Sequence, residues 1–132
     1  MSAWGFGSFE NDDAADWVAD LVEMNDETLI DEAFERAMEA KSGYIEAPEA
    51  SCALAAAEVV AALRGKPASE LPEEIRGWLE GKPTPSTERL QNARQAVAAV
   101  RKESELRDLW EEQEELEDWE PVVADLERRL SA

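Results

Sequence analysis

The stretch Ala50-Ser51-Cys52-Ala53-Leu54-Ala55-Ala56-Ala57-Glu58-Val59-Val60-Ala61-Ala62-Leu63 decides the fold, because it carries one charge, Glu58, among small and aliphatic residues. Pro48 precedes it, and proline suits the first turn of a helix, where its missing N–H would have had no partner anyway. Gly65 follows and supplies a C-terminal stop. The spacing predicts a helix from Pro48 to about Arg64. Cys52, Ala56, Val59 and Leu63 form one face, and the other faces are equally apolar. A helix that is apolar all round is buried by its neighbours. The run is also shorter than the roughly 18 apolar residues that begin to suggest a membrane span.

Amphipathic helices flank this segment on both sides. Asn11 is a good N-cap, with Asp12 and Asp13 in the first turn, where the helix dipole favours anions. Ala14, Trp17, Val18 and Leu21 then make an apolar stripe, with Asp12, Asp16 and Asp20 opposite. A second helix begins around Asn25 or Asp26, uses Leu29, Ile30, Ala33, Phe34, Ala37 and Met38, and stops near Gly43. After the central segment, a short helix follows Pro72 with Ile75, Trp78 and Leu79 inward and ends at Gly81. Another runs from about Ser86 to Lys102, with Leu90, Ala93, Val97 and Val100 inward. Ser104 caps a helix holding Leu106, Leu109 and Trp110. Pro121 marks the start of the last, with Val122, Val123, Leu126 and Leu130 as its stripe and Trp119 as a hydrophobic staple. Glu111–Asp118 reads either as an extension of the preceding helix or as a solvated connection.

No strand-like alternation of useful length occurs, and Ala, Leu and Glu outnumber β-branched residues. The expectation is one all-α domain spanning residues 1–132. It is an irregular bundle of about six or seven helices around a buried Ala/Val-rich rod, with a non-helical aromatic arm over residues 1–10. Burial of Trp17, Trp78, Trp110 and Trp119 would contribute roughly 2–3 kcal/mol each.

Charge limits the function classes. The chain of 132 residues has 32 acidic and 13 basic side chains, a net charge of −19, no histidine and one cysteine. A Ser-His-Asp or Cys-His site cannot be built, nor a His-ligated metal centre. The chain cannot form an intramolecular disulfide, which fits a reducing compartment. Phosphate backbones and anionic membranes need clustered Lys and Arg, so neither nucleic acid nor membrane is an expected partner. No basic-then-apolar leader is present at the start, and a cytoplasmic location is expected. The acidity is uneven: residues 1–50 carry 14 acids against 2 bases and residues 105–132 carry 11 against 3, while 51–104 carry 7 against 8.

The opening Trp4-Gly5-Phe6-Gly7-Ser8-Phe9-Glu10-Asn11-Asp12-Asp13-Ala14-Ala15-Asp16-Trp17 resembles the signature of a bacterial family known as domain of unknown function 4259. That family begins with Trp-Gly-x-Gly, then Phe-Glu-Asn-Asp-Asp, then Asp-Trp or Asp-Phe. Ala55–Ala61, Ser104–Trp110 and Trp119–Leu130 are similar to its later helices, so the resemblance covers most of the chain. It implies no established activity and supplies no catalytic residue to carry over.

Within this motif, Trp4, Asn11, Asp12, Asp13 and Asp16 form a candidate polar binding site beside the arm; the competing reading is a folding device, with an aromatic arm clamped to the core and a capped first helix. Gly5 and Gly7 are not a nucleotide loop, since they follow no strand and face acids. Glu58 is the candidate buried carboxylate. It needs a partner, and Arg36, Arg64, Arg89 and Arg94 are the candidates. Cys52 reads as a small core residue. A carboxylate Mg²⁺ site would use a pair such as Glu32 and Glu35, with Glu39 one turn on, but a second pair at the proper distance is missing. Neither a cofactor nor a resident metal is expected. The reading is a non-catalytic acidic interaction protein, of antitoxin or immunity type, binding a basic protein. The alternatives are a carboxylate-dependent Mg²⁺ hydrolase of nucleotides or phosphoesters, and a purely structural or oligomer-forming protein.

Overall fold

The computed structural model describes residues 5–39 and 44–131. Among them lie seven helices and no strand: α1 (Asp12–Met24), α2 (Thr28–Met38), α3 (Ala47–Leu63), α4 (Glu73–Leu79), α5 (Thr87–Lys102), α6 (Glu105–Glu112) and α7 (Leu116–Leu130). α3 is the central rod, and it packs against all six other helices. Twelve of its seventeen residues are buried. Its many alanines let the surrounding helices approach closely, so the core is dense without large side chains on the rod itself. Ala56 and Ala57 are fully buried, and enlarging either would overpack the centre. Ala56→Leu is expected to cost about 1–3 kcal/mol, read as a lower midpoint in urea with an unchanged slope.

The ends of the rod are held by distinct devices. At its C-terminus Gly65 takes a left-handed φ of 84°. The amide of Lys66 then donates to Ala61 O at 2.9 Å and that of Gly65 to Ala62 O at 3.0 Å, which closes a Schellman turn. At its N-terminus Glu46 makes no side-chain cap. Instead Glu105 Oε1, from α6, accepts the Ala47 amide at 2.8 Å. The same junction holds an isolated parallel bridge between Ile45 and Ser104.

Local chemistry explains the other helix ends. Asn11 Oδ1 accepts from Ala14 N at 2.8 Å. Ser86 and Ser104 likewise cap α5 and α6 through Arg89 N and Arg107 N. Such caps are each worth roughly 1 kcal/mol. Asn25 ends α1 in the left-handed region, and its Oδ1 accepts from Trp78 Nε1 at 2.9 Å and Lys82 Nζ at 2.7 Å. Lys82 also lies 4.7 Å from the centre of the Trp78 ring. The two hydrogen bonds join the end of α1 to α4 and the turn after it, and the cation–π contact holds Lys82 over Trp78.

Four expectations need correction. α2 starts at Thr28 rather than Asn25 or Asp26 and ends at Met38, while Gly43 lies outside the described residues. Pro121 does not open the last helix but sits inside α7, which begins at Leu116. It is exposed there, and α7 forgoes one backbone hydrogen bond at the surface. Trp119 is therefore a buried residue of that helix, not a staple preceding it. The acidic run Glu111–Asp118 is neither one helix nor one loop: α6 ends at Glu112, Glu114 turns the chain with a φ of 61°, and α7 resumes. Trp78, Trp110 and Trp119 are buried as expected, but Trp17 is only half-buried.

Self-repulsion among the carboxylates opposes this compact state. The melting temperature is expected to rise between about 10 and about 150 mM salt, as screening shortens the reach of the repulsion. A fall on adding salt would show that attractive pairs dominate instead.

Candidate functional site

Of the acidic opening motif the structure describes Asn11, Asp12, Asp13 and Asp16. Asn11 spends its side-chain oxygen on the helix cap. Asp12 and Asp16 are exposed, and Asp13 is half-buried with its backbone carbonyl 3.8 Å from Cys52 Sγ. Trp4 lies outside the described residues. The arm itself is a folded turn over residues 5–10. Glu10 bends back so that its Oε1 accepts the Gly7 amide at 3.1 Å. A Cβ on either Gly5 or Gly7 would meet that carboxylate and displace it from this turn. Phe6 rests on Trp110 with ring centres 4.9 Å apart.

The arm instead meets Glu58. This carboxylate is 2% exposed and is enclosed by the arm and α7. Ser8 Oγ donates to Glu58 Oε2 at 2.8 Å. Arg129 donates through Nη1 to Oε1 at 2.8 Å and through Nη2 to Oε2 at 3.2 Å. Its Nε reaches Asp125 Oδ2 at 2.8 Å. The partner is thus Arg129, not Arg36, Arg64, Arg89 or Arg94. Arg64 and Arg94 bind the terminal carbonyls of α7, and Arg89 pairs with Asp31 and Glu27. Burial opposes the charge on Arg129, but the hydrogen bonds and charges of Glu58 and Asp125 outweigh it and hold the guanidinium above its ordinary value.

A cavity of about 460 Å³ opens beside this cluster, between the arm, Ser69 and α7. Ser8 next to a carboxylate suggests a nucleophile beside a base. The geometry argues otherwise, because the Glu58 oxygens already receive the guanidinium fork. An activated serine needs a base free to take its proton. The cluster is a clasp that fastens the arm to α3 and α7.

A second cavity, of about 260 Å³, lies between α1, α2 and the start of α3. Trp17, Leu29 and Ala33 give it an apolar wall, and Asp20, Glu32 and Glu49 bring carboxylates to it. Glu49 Oε2 is sealed from solvent and has no hydrogen-bond partner. Cys52 also lines this space, and burial, then the charges of Asp13 and Glu49, push its thiol up to about 11. It is therefore a poor nucleophile at neutral pH. Among the described residues, no three His, Cys, Asp or Glu side chains converge to hold a metal ion.

At the far side, Tyr44 Oη donates to Asp108 Oδ2 at 2.7 Å. That hydrogen bond, then desolvation, then the charges of Asp108, Glu105 and Glu112, push the phenol up to about 12. The unfolded phenol ionises near pH 10. Stability from this contact is therefore fully present below about pH 10 and is lost as pH rises through about 12. Tyr44 is the only tyrosine, so phenolate absorbance reads it directly. The midpoint is expected near 12 and should fall toward about 10 in Asp108→Asn; an unchanged midpoint would refute the contact.

Of the residues around these cavities, the sequence signalled Glu58 but not Ser8, Arg129 or Glu49. Arg129 flanks the Leu126 and Leu130 stripe, which was the one signal that could have placed it beside the core.

Fold and sites together define a small, strongly acidic, all-helical protein built on one buried rod. A family model described as Domain of unknown function (DUF4259) matches residues 2–121, and the chain belongs to that family. No curated protein and no solved structure matches it. No helix among the described residues is long and apolar enough to cross a membrane.

Proposed function

We propose that this chain acts by binding rather than by catalysis, as an acidic cytoplasmic protein that captures a basic protein in the manner of an antitoxin or immunity protein. One observation carries the reading: the protein's few cations are largely consumed internally. Arg89, Arg101, Arg107, Arg128 and Arg129 pair with carboxylates of the same chain. Arg64 and Arg94 bind backbone carbonyls. The surplus acids remain on the surface, on the outer sides of α1 and α2 (Asp12, Asp16, Asp20, Glu32, Glu35) and around the α6–α7 turn (Glu112, Glu114, Glu117). Such a surface steers a cationic partner and repels anionic ones.

The test has two stages. Proteins retained on the immobilised chain at low salt and released at high salt are identified, and the leading basic candidate is purified. Its association rate with this chain is expected to fall at least about tenfold between about 20 and about 200 mM salt. If no basic protein is retained, or the purified pair associates at a salt-independent rate, the reading fails.

A further inference from the structure

We propose that residues 5–10 are a strap, hinged at Asn11, that opens as one unit while the helices stay packed. Its opening uncovers the face of Trp110 and the Glu58–Arg129 ion pair, and this holds whether or not the acidic-binder reading above is right. The hinge follows from how α1 begins. Asn11 caps that helix with its own side chain, accepting from Ala14 N at 2.8 Å, and its carbonyl accepts from Ala15 N at 3.0 Å. Helix α1 therefore starts from Asn11, and its first turn stays bonded when the preceding residues leave.

The strap is bonded mainly to itself. Glu10 Oε1 accepts the Gly7 amide at 3.1 Å, and the Glu10 amide donates to Gly7 O at 3.0 Å, so residues 7–10 form a turn closed from both sides. Among the described residues, one hydrogen bond ties it to the bundle, from Ser8 Oγ to Glu58 Oε2 at 2.8 Å. Phe6 and Phe9 add apolar contact, but both are only partly buried, packed against the core rather than within it. A segment held by one side-chain hydrogen bond and two partly buried rings belongs to the low-stability end of a fold, where opening is local rather than global.

Two features lower the cost of opening. Glu58 keeps the Arg129 fork, at 2.8 and 3.2 Å, so losing Ser8 does not strand a buried charge. The cavity of about 460 Å³ also runs along the strap, bordered by Phe6, Ser8 and Phe9 and by Ser69, Pro121 and Val122. On that side the strap has few packed neighbours to lose and open space to swing into. Trp110 is 5% exposed when the strap is closed, with its ring centre 4.9 Å from that of Phe6. Opening therefore presents an indole face and the Glu58–Arg129 pair, both of which the closed strap conceals.

Native-state hydrogen exchange on the full chain tests whether the unit opens alone. After correction for intrinsic rates, the Gly7 and Glu10 amides are expected to exchange at least about tenfold faster than that of Val60 in α3. Their rates should barely respond to added urea, because the opening exposes little surface, whereas Val60 follows the global slope. In Ser8→Asp a second carboxylate faces Glu58, and two like charges in a buried site repel. The strap should then stay open. With fluorotryptophan in the chain, the Trp110 signal should become sensitive to replacing ordinary with heavy water, as an exposed ring is, while the Trp78 signal stays as it was. The helical circular dichroism should be retained, and the urea midpoint should fall less than in Arg129→Ala, because Glu58 keeps its counter-ion. Once the strap is open, further damage to it has no effect, so adding Phe6→Ala to Ser8→Asp should leave the midpoint where Ser8→Asp put it. Arm amides that exchange in step with Val60 across urea would overturn the proposal. So would an unmoved Trp110 signal, loss of the helices in Ser8→Asp, or a further loss in the double variant.

Discussion

Arg129→Ala is expected to destabilise the protein by about 3–5 kcal/mol, the cost of leaving a buried carboxylate without its counter-ion. Glu58 is 2% exposed, and the variant would leave it with only the Ser8 hydroxyl. Asp125 would also lose its contact to the Arg129 Nε, although this half-exposed carboxylate can turn to water. The loss should appear as a lower urea midpoint and a lower melting temperature. The paired replacement Glu58→Leu with Arg129→Leu should recover most of it, because removing both charges also removes the desolvation cost of both. A double-mutant cycle separates the two effects. If Arg129→Ala costs less than about 1 kcal/mol, the ion pair is not a structural element of the core.

Phe34→Ala carries the second large effect, with an expected loss of about 3–5 kcal/mol. Phe34 is 2% exposed and is among the largest fully enclosed side chains. It lies on α2, which packs against both α3 and α5. The facing rod is built of alanines and valines, whose short side chains cannot extend into the vacated volume, so the site collapses poorly and the cavity persists. Phe34→Leu should cost clearly less. Equal losses for the two variants would point to backbone rearrangement rather than a cavity.

The two variants also mark where sequence reasoning succeeds. The rod was legible because a charge-poor alanine-rich run has one physical outcome in a soluble bundle, and the caps at Asn11 and Ser104 were legible because capping is a local event. The partner of Glu58 was not. Arg129 is 71 positions away; it flanks the apolar stripe of α7 while Arg128 faces solvent, but nothing in that local pattern says which distant carboxylate it meets. Pro121 misled for a related reason: proline prefers a first turn but is tolerated further in on an exposed face, and the core contacts of Trp119 and Val123 extend α7 backward past it. In the candidate cavities, Glu58 was legible as an isolated charge. Glu49 was not, because its enclosure depends on how α1 and α2 lie across the start of α3. In the opening motif the cap by Asn11 was legible, and helical geometry turns Asp12 and Asp16 to solvent.

The support that Glu105 gives to the first turn of α3 bears on how the chain comes off the ribosome. The segment with the greatest hydrophobic density is synthesised before the residue that seats its leading end. Until position 105 has emerged, the rod has neither that acceptor nor α6 to cover it, and greasy surface stays open to chaperones and proteases. Acquisition of protease resistance during translation should therefore be late and abrupt rather than gradual.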